Sequence, residues 1–90
     1  VGNGYVERRR TLNELLVLFQ QLDDIDQKIC YSDTRGESTK NLAASIGMTP
    51  RSVELRRNKI LEHFGLRRTI DIVILLARLA EHGLIEPLDS

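Results

Sequence analysis

Tryptophan is absent from this 90-residue chain, and tyrosine and phenylalanine appear only twice each. A core with so few rings must be aliphatic, which suits packed helices better than a β-sandwich. The single cysteine, Cys30, excludes an intrachain disulfide and makes an intracellular home the natural expectation. Set among apolar residues, Cys30 reads as a small buried hydrophobe rather than a reactive thiol. No apolar run approaches the roughly 18 residues of a membrane span, and no secretory leader is visible. Net charge is lacking as well, because 13 basic side chains balance 13 acidic ones. Two histidines, one cysteine and scattered carboxylates show no metal-ligand spacing, nucleophile motif or phosphate loop. No enzyme activity, cofactor or metal is therefore expected. The chain opens at Val1 rather than Met, so it reads as a piece of a longer protein.

What is present is 41% hydrophobic residues, enough for one small core. A domain of this size is marginal alone and often gains from self-association. Charge is neutral in sum but uneven in place. Residues 51 to 68 carry Arg51, Arg56, Arg57, Lys59, Arg67 and Arg68 against Glu54 and Glu62, a local excess of four positives. The stretch from Asp23 to Asp26 is acidic. Such asymmetry can give a neutral protein a basic face.

Apolar spacing predicts helices throughout and no strands. Residues 1 to 21 read as a flexible start and a helix with helical character from Tyr5, its apolar face marked by Leu12, Leu15, Leu16, Phe19 and Leu22. Asp23 or Asp24 can cap the next helix, with Ile25 and Ile29 facing inward beside Cys30. Ser32 to Glu37, with Asp33 and Gly36, reads as a loop. A short helix opens at Ser38 or Thr39 and ends at Gly47, where a left-handed residue is needed. Thr49 caps another, with Pro50 in its favoured first position, running to about Phe64 and Gly65. The last helix spans Thr69 to before Gly83, leaving residues 87 to 90 as a tail. The expected fold class is all-α, a four-helix tetra-helical domain over 22 to 86 preceded by an N-terminal linker helix.

Within it, Thr39 to Asn58 carries a helix-turn-helix spacing. Leu42, Ala43, Ile46, Gly47, Met48 and Val53 fall at positions four, five, eight, nine, ten and fifteen of a twenty-residue window. Position five must be small because the second helix crosses there, position nine must turn, and the others fill the angle between the helices. At about 100° per residue, Val53, Ile60 and Phe64 share the inner face of the second helix, while Arg51, Glu54, Leu55 and Asn58 share the outer one. Those four are the candidate base contacts: Asn58 suits an adenine edge, Glu54 a cytosine amino group, Leu55 a thymine methyl, and Arg51 a guanine or a phosphate. Ser38, Thr39, Lys40, Thr49, Ser52, Lys59, Arg67 and Arg68 are the candidate phosphate contacts. The rival readings are an ordinary helical hairpin, a protein-interaction module without DNA binding, and a sigma-factor region-four-like promoter-binding domain.

From Leu22 onward the chain resembles the NarL/FixJ (LuxR-type) effector domain of bacterial response regulators. The resemblance rests on Ser38-Thr39-Lys40 and Leu42-Ala43, on the run from Gly47 to Arg56, and on His63-Phe64-Gly65-Leu66-Arg67. Leu22-Asp23-Asp24-Ile25-Asp26 stands where the family usually has a Leu-Thr-Pro-Arg-Glu-like box, and Arg56 replaces a common His. The resemblance implies a cytoplasmic bacterial transcription regulator that binds double-stranded DNA. It implies an upstream receiver domain whose phosphorylation promotes dimerisation, with RNA polymerase as a further contact, and no membrane. Arg8, Arg9 and Arg10 before a leucine-spaced helix resemble the linker to that receiver.

The last helix is apolar around most of its circumference. Ile72, Val73, Leu76, Leu79 and Ala80 suffice for the core, leaving Ile70, Ile74 and Ala77 as a second strip. A homodimer through that strip is one expectation. A linker helix folded back over it is the other.

Overall fold

The structure is a computed structural model and describes residues 10–88. Among these residues there are five α-helices and no strand: α1 (Leu12–Gln20), α2 (Asp24–Thr34), α3 (Thr39–Ser45), α4 (Pro50–Phe64) and α5 (Thr69–Glu81). Part of the stretch expected to be helical from Tyr5 lies outside the described residues. Where the chain is described, helix begins only at Leu12, because Thr11 stops it in extended conformation. The Thr11 hydroxyl accepts the Glu14 amide at 3.1 Å, and Glu14 Oε1 accepts the Thr11 amide at 2.8 Å. This reciprocal cap satisfies two donors that a helix start otherwise leaves open.

Asp23 caps α2 by accepting the Asp26 amide at 2.8 Å. The helix then runs three residues into the expected loop, taking in Ser32, Asp33 and Thr34. Each of these polar residues finds a partner that makes helix tolerable there. The Thr34 hydroxyl donates to the Tyr31 carbonyl at 2.6 Å, and the fully buried Ser32 hydroxyl donates to Glu37 Oε1 at 2.8 Å. Asp33 is held by Arg57.

Between α3 and α4 the chain turns in four residues. Gly47 has φ of +70°, a left-handed conformation that costs a side-chain-bearing residue about 1 kcal/mol or more. That turn lets the Met48 amide donate to the Ala43 carbonyl at 2.9 Å and the Gly47 amide to the Ala44 carbonyl at 3.4 Å. Two carbonyls at the end of α3 are thereby satisfied. Thr49 then opens α4 by accepting the Ser52 amide at 3.1 Å, with Pro50 next.

One core joins all five helices. It contains Leu15 and Phe19 of α1, Ile29 and Cys30 of α2, Leu42 and Ala43 of α3, Val53, Ile60 and Phe64 of α4, and Ile72, Leu75, Leu76 and Leu79 of α5. Leu75 takes a core place on α5, while the expected Val73 and Ala80 are only half-buried. The α2 helix packs chiefly along α5 and α3 against α4, while α1 rests on both α4 and α5. Cys30 is fully buried, and that burial pushes its thiol up to about 12, so it behaves as a core hydrophobe.

Polar contacts hold α1 in place. Arg10 Nη1 donates to the Phe64 carbonyl at the end of α4, at 2.7 Å. His63 Nε2 lies 2.7 Å from the Leu18 carbonyl; a carbonyl only accepts, so Nε2 carries the proton. Gln27 Nε2 donates to the Phe19 and Leu22 carbonyls, each at 3.2 Å. The last carbonyls of α1 and α4 are thus satisfied by side chains from elsewhere in the fold.

Candidate functional site

The exposed side of the α3–α4 pair is built by subtraction. Val53, Arg57, Ile60 and Phe64 turn inward along one stripe of α4. Among the residues that remain outward are Arg51, Glu54, Leu55 and Asn58, all exposed. Leu55 is 48% exposed, among the largest exposed apolar side chains. Arg51 Nη1 stands 4.0 Å from Glu54 Oε1, a loose surface pair that is cheap to break. The buried Ala43 occupies the position expected to need a small side chain, and Ile46 and Met48 are partly buried beside the core. All four candidate base contacts are therefore free to meet a partner together.

The candidate phosphate contacts divide into several groups. Ser38 caps α3 by accepting the Asn41 amide at 3.1 Å, and Lys40 projects outward. Thr39 is only half-exposed, and its hydroxyl accepts from Arg57 Nη1 at 3.0 Å, so it faces the protein. Thr49 and Ser52 sit together at the start of α4, the Thr49 hydroxyl donating to Ser52 Oγ at 3.0 Å. Lys59 is exposed on α4 beside a shallow cleft with Gln21, Asp23, Asp26 and His63. Arg67 and Arg68 are exposed but lie beyond the far end of α4, a helix length of about 22 Å from Thr49. They cannot join the Thr49 and Ser52 group at one phosphate. Arg68 lies 3.9 Å from Asp71, whose Oδ2 also accepts the Arg68 amide at 3.1 Å.

Two cations counted toward a basic face are paired within the chain instead, Arg56 half-exposed and Arg57 buried. Arg56 Nη1 bonds Asp26 Oδ1 at 2.9 Å and Asp23 Oδ2 at 3.2 Å. Arg57 pairs with Asp33 through two hydrogen bonds of 3.1 and 2.8 Å. With those three aspartates included, six positives face five negatives, and the local excess falls from four to one. The Asp26 amide, then Arg56, hold the Asp23 carboxyl below its ordinary value. For Asp33 burial wins and the carboxyl is pushed up, although Arg57 pulls the other way. Residue order gave no warning of these pairs, whose partners are 24 to 33 positions apart.

On α5, Ile70 and Ile74 are 50% and 52% exposed, and Ala77 is exposed with them. The α1 helix does fold back onto α4 and α5, yet it leaves this strip open. A groove beside Ile74 runs between Arg10, Leu15, Phe64, Asp71 and Arg78. Among the described residues, no helix is long and apolar enough to cross a membrane, and no cluster of His, Cys, Asp and Glu has the makings of a metal site. No protein-family model, curated protein or solved structure matches the chain.

Proposed function

We propose that residues 39 to 58 are a DNA-binding helix-turn-helix and that the chain is the sequence-specific output domain of a response regulator of the NarL/FixJ type. The observation that carries this reading is the join between α3 and α4. Gly47 turns the chain, the buried Ala43 lies where the helices meet, and Arg51, Glu54, Leu55 and Asn58 are left together on an open helix face. A helix presenting such a mixture of donor, acceptor and methyl groups suits the major groove. Ser38, Lys40, Thr49, Ser52 and Lys59 would hold the flanking phosphates, with Arg67 and Arg68 reaching a more distant one. In the intact protein, phosphorylation of an upstream receiver would bring two copies together and raise affinity through effective concentration.

A second reading, a protein-interaction module without DNA binding, is favoured by the internal neutralisation of Arg56 and Arg57. A mobility-shift assay on pooled random duplexes at low salt separates the two. The DNA reading expects a shift that weakens as salt rises. Once a preferred duplex is selected, Asn58→Ala should cost roughly 1 to 3 kcal/mol and relax preference at one base pair. No shift at low salt would favour the interaction module.

A further inference from the structure

Arg57 occupies the inner stripe of α4 with Val53, Ile60 and Phe64, one residue before the exposed Asn58. Its guanidinium makes three hydrogen bonds. Nε and Nη2 reach the two carboxylate oxygens of Asp33 at 3.1 and 2.8 Å, and Nη1 reaches the Thr39 hydroxyl at 3.0 Å. Asp33 lies in the last turn of α2 and Thr39 opens α3. One planar group therefore ties three helices, and its fork permits a single orientation. The two ion-paired side chains are 11% and 3% exposed.

Stability is a poor account of such a pair. Desolvating both charges offsets most of their attraction, and apolar replacements of similar volume are often neutral or stabilising. Geometry is the better account. We propose that Arg57 and Asp33 are positioning residues that fix the rotation of α4 against α2 and α3 and so aim Arg51, Glu54, Leu55 and Asn58 at their partner. The identity of that partner rests on the DNA reading; the fixing of α4 does not.

The test is the double variant Arg57→Met with Asp33→Leu, which leaves net charge unchanged. Thermal stability should hold or rise, and affinity for random duplexes at low salt should not change. Affinity for the duplex selected by the native chain should fall roughly tenfold or more. Residual dipolar couplings should report α4 rotated relative to α2 and α3. Arg57→Lys keeps the charge but not the fork, and should show the same effects in smaller degree while remaining folded. Native orientation and native selectivity in a folded double variant would overturn the proposal. So would affinity that falls only in proportion to lost stability. If the double variant does not fold, native orientation in Arg57→Lys overturns it and a rotated α4 supports it. If the native chain selects no duplex, the DNA reading fails, and the dipolar couplings still decide whether the pair positions α4.

Discussion

Arg56 and Arg57 are neighbours of the same charge, yet they serve different aspartates on opposite edges of one helix. Arg56 secures the start of α2 through Asp23 and Asp26, and Arg57 secures its end through Asp33. Sequence order foretells neither pair, although the position of Arg57 offers one signal. Arg57 falls in step with Val53, Ile60 and Phe64, and a charge on an apolar stripe calls for a buried partner. Its partner could not be read from order along the chain. The outward set of Arg51, Glu54, Leu55 and Asn58 was legible, because helical periodicity alone separates it from the core stripe. The aspartates differ in their response to acid. Asp23 is held below its ordinary 3.8, so its stabilisation is present above that value and is lost as pH falls through its folded value. Asp33 is raised by burial, so its contribution runs the other way and grows on acidification. Asp23→Asn keeps an oxygen for the cap and removes the titration. Thermal midpoints measured downward from about pH 5 should therefore fall less steeply in this variant than in the native chain. Equal slopes would show that Asp23 is not linked to folding.

At the scale of elements, the caps explain both the agreement and the departures. Gly47, Thr49 and Pro50 punctuate the α3–α4 turn by local chemistry, and such signals survive into the fold because they need no distant partner. Thr11 and Glu14 are equally local, and their spacing marks the start of α1 at Leu12, the first residue of its apolar pattern. The extension of α2 through Ser32 to Thr34 was not legible. It depends on Arg57 and Glu37, which accommodate polar groups that otherwise favour a loop. Docking of α1 is also non-local, with Arg10 reaching across 54 positions to the Phe64 carbonyl. Arg10→Ala should loosen that end of α1 and cost about 1 kcal/mol or less, given how exposed the guanidinium is. Hydrogen exchange should quicken in the first turn of α1 and the last turn of α4 and remain unchanged in α2. Unchanged exchange at both ends would mean that the apolar contacts of Leu15 and Phe19 suffice.

At the scale of the whole molecule, the open surfaces among the described residues include the outer face of α4 and the strip of Ile70, Ile74 and Ala77 on α5. The fold-back of α1 was foreseen as an alternative to self-association, but it leaves Ile70 and Ile74 half-exposed. Exposed apolar side chains grouped on one helix face are a common mark of a partner surface, which keeps the homodimer proposal open. If two copies pair there, light scattering should report a dimer for the native chain and a monomer for Ile74→Glu, with unchanged helical content by circular dichroism. A native monomer at high concentration would remove α5 as a pairing surface. The charge balance of the folded molecule makes the other surface the more demanding test, because a local excess of only one positive cannot guarantee DNA binding. The most direct measurement is an amide chemical-shift titration of the chain with pooled random duplexes at low salt. If the outer face of α4 meets DNA, the largest shifts should fall on Arg51, Glu54, Leu55 and Asn58, with smaller ones at Lys40, Thr49 and Ser52. Shifts confined to α2 or α5, or no shifts at saturating duplex, would contradict it.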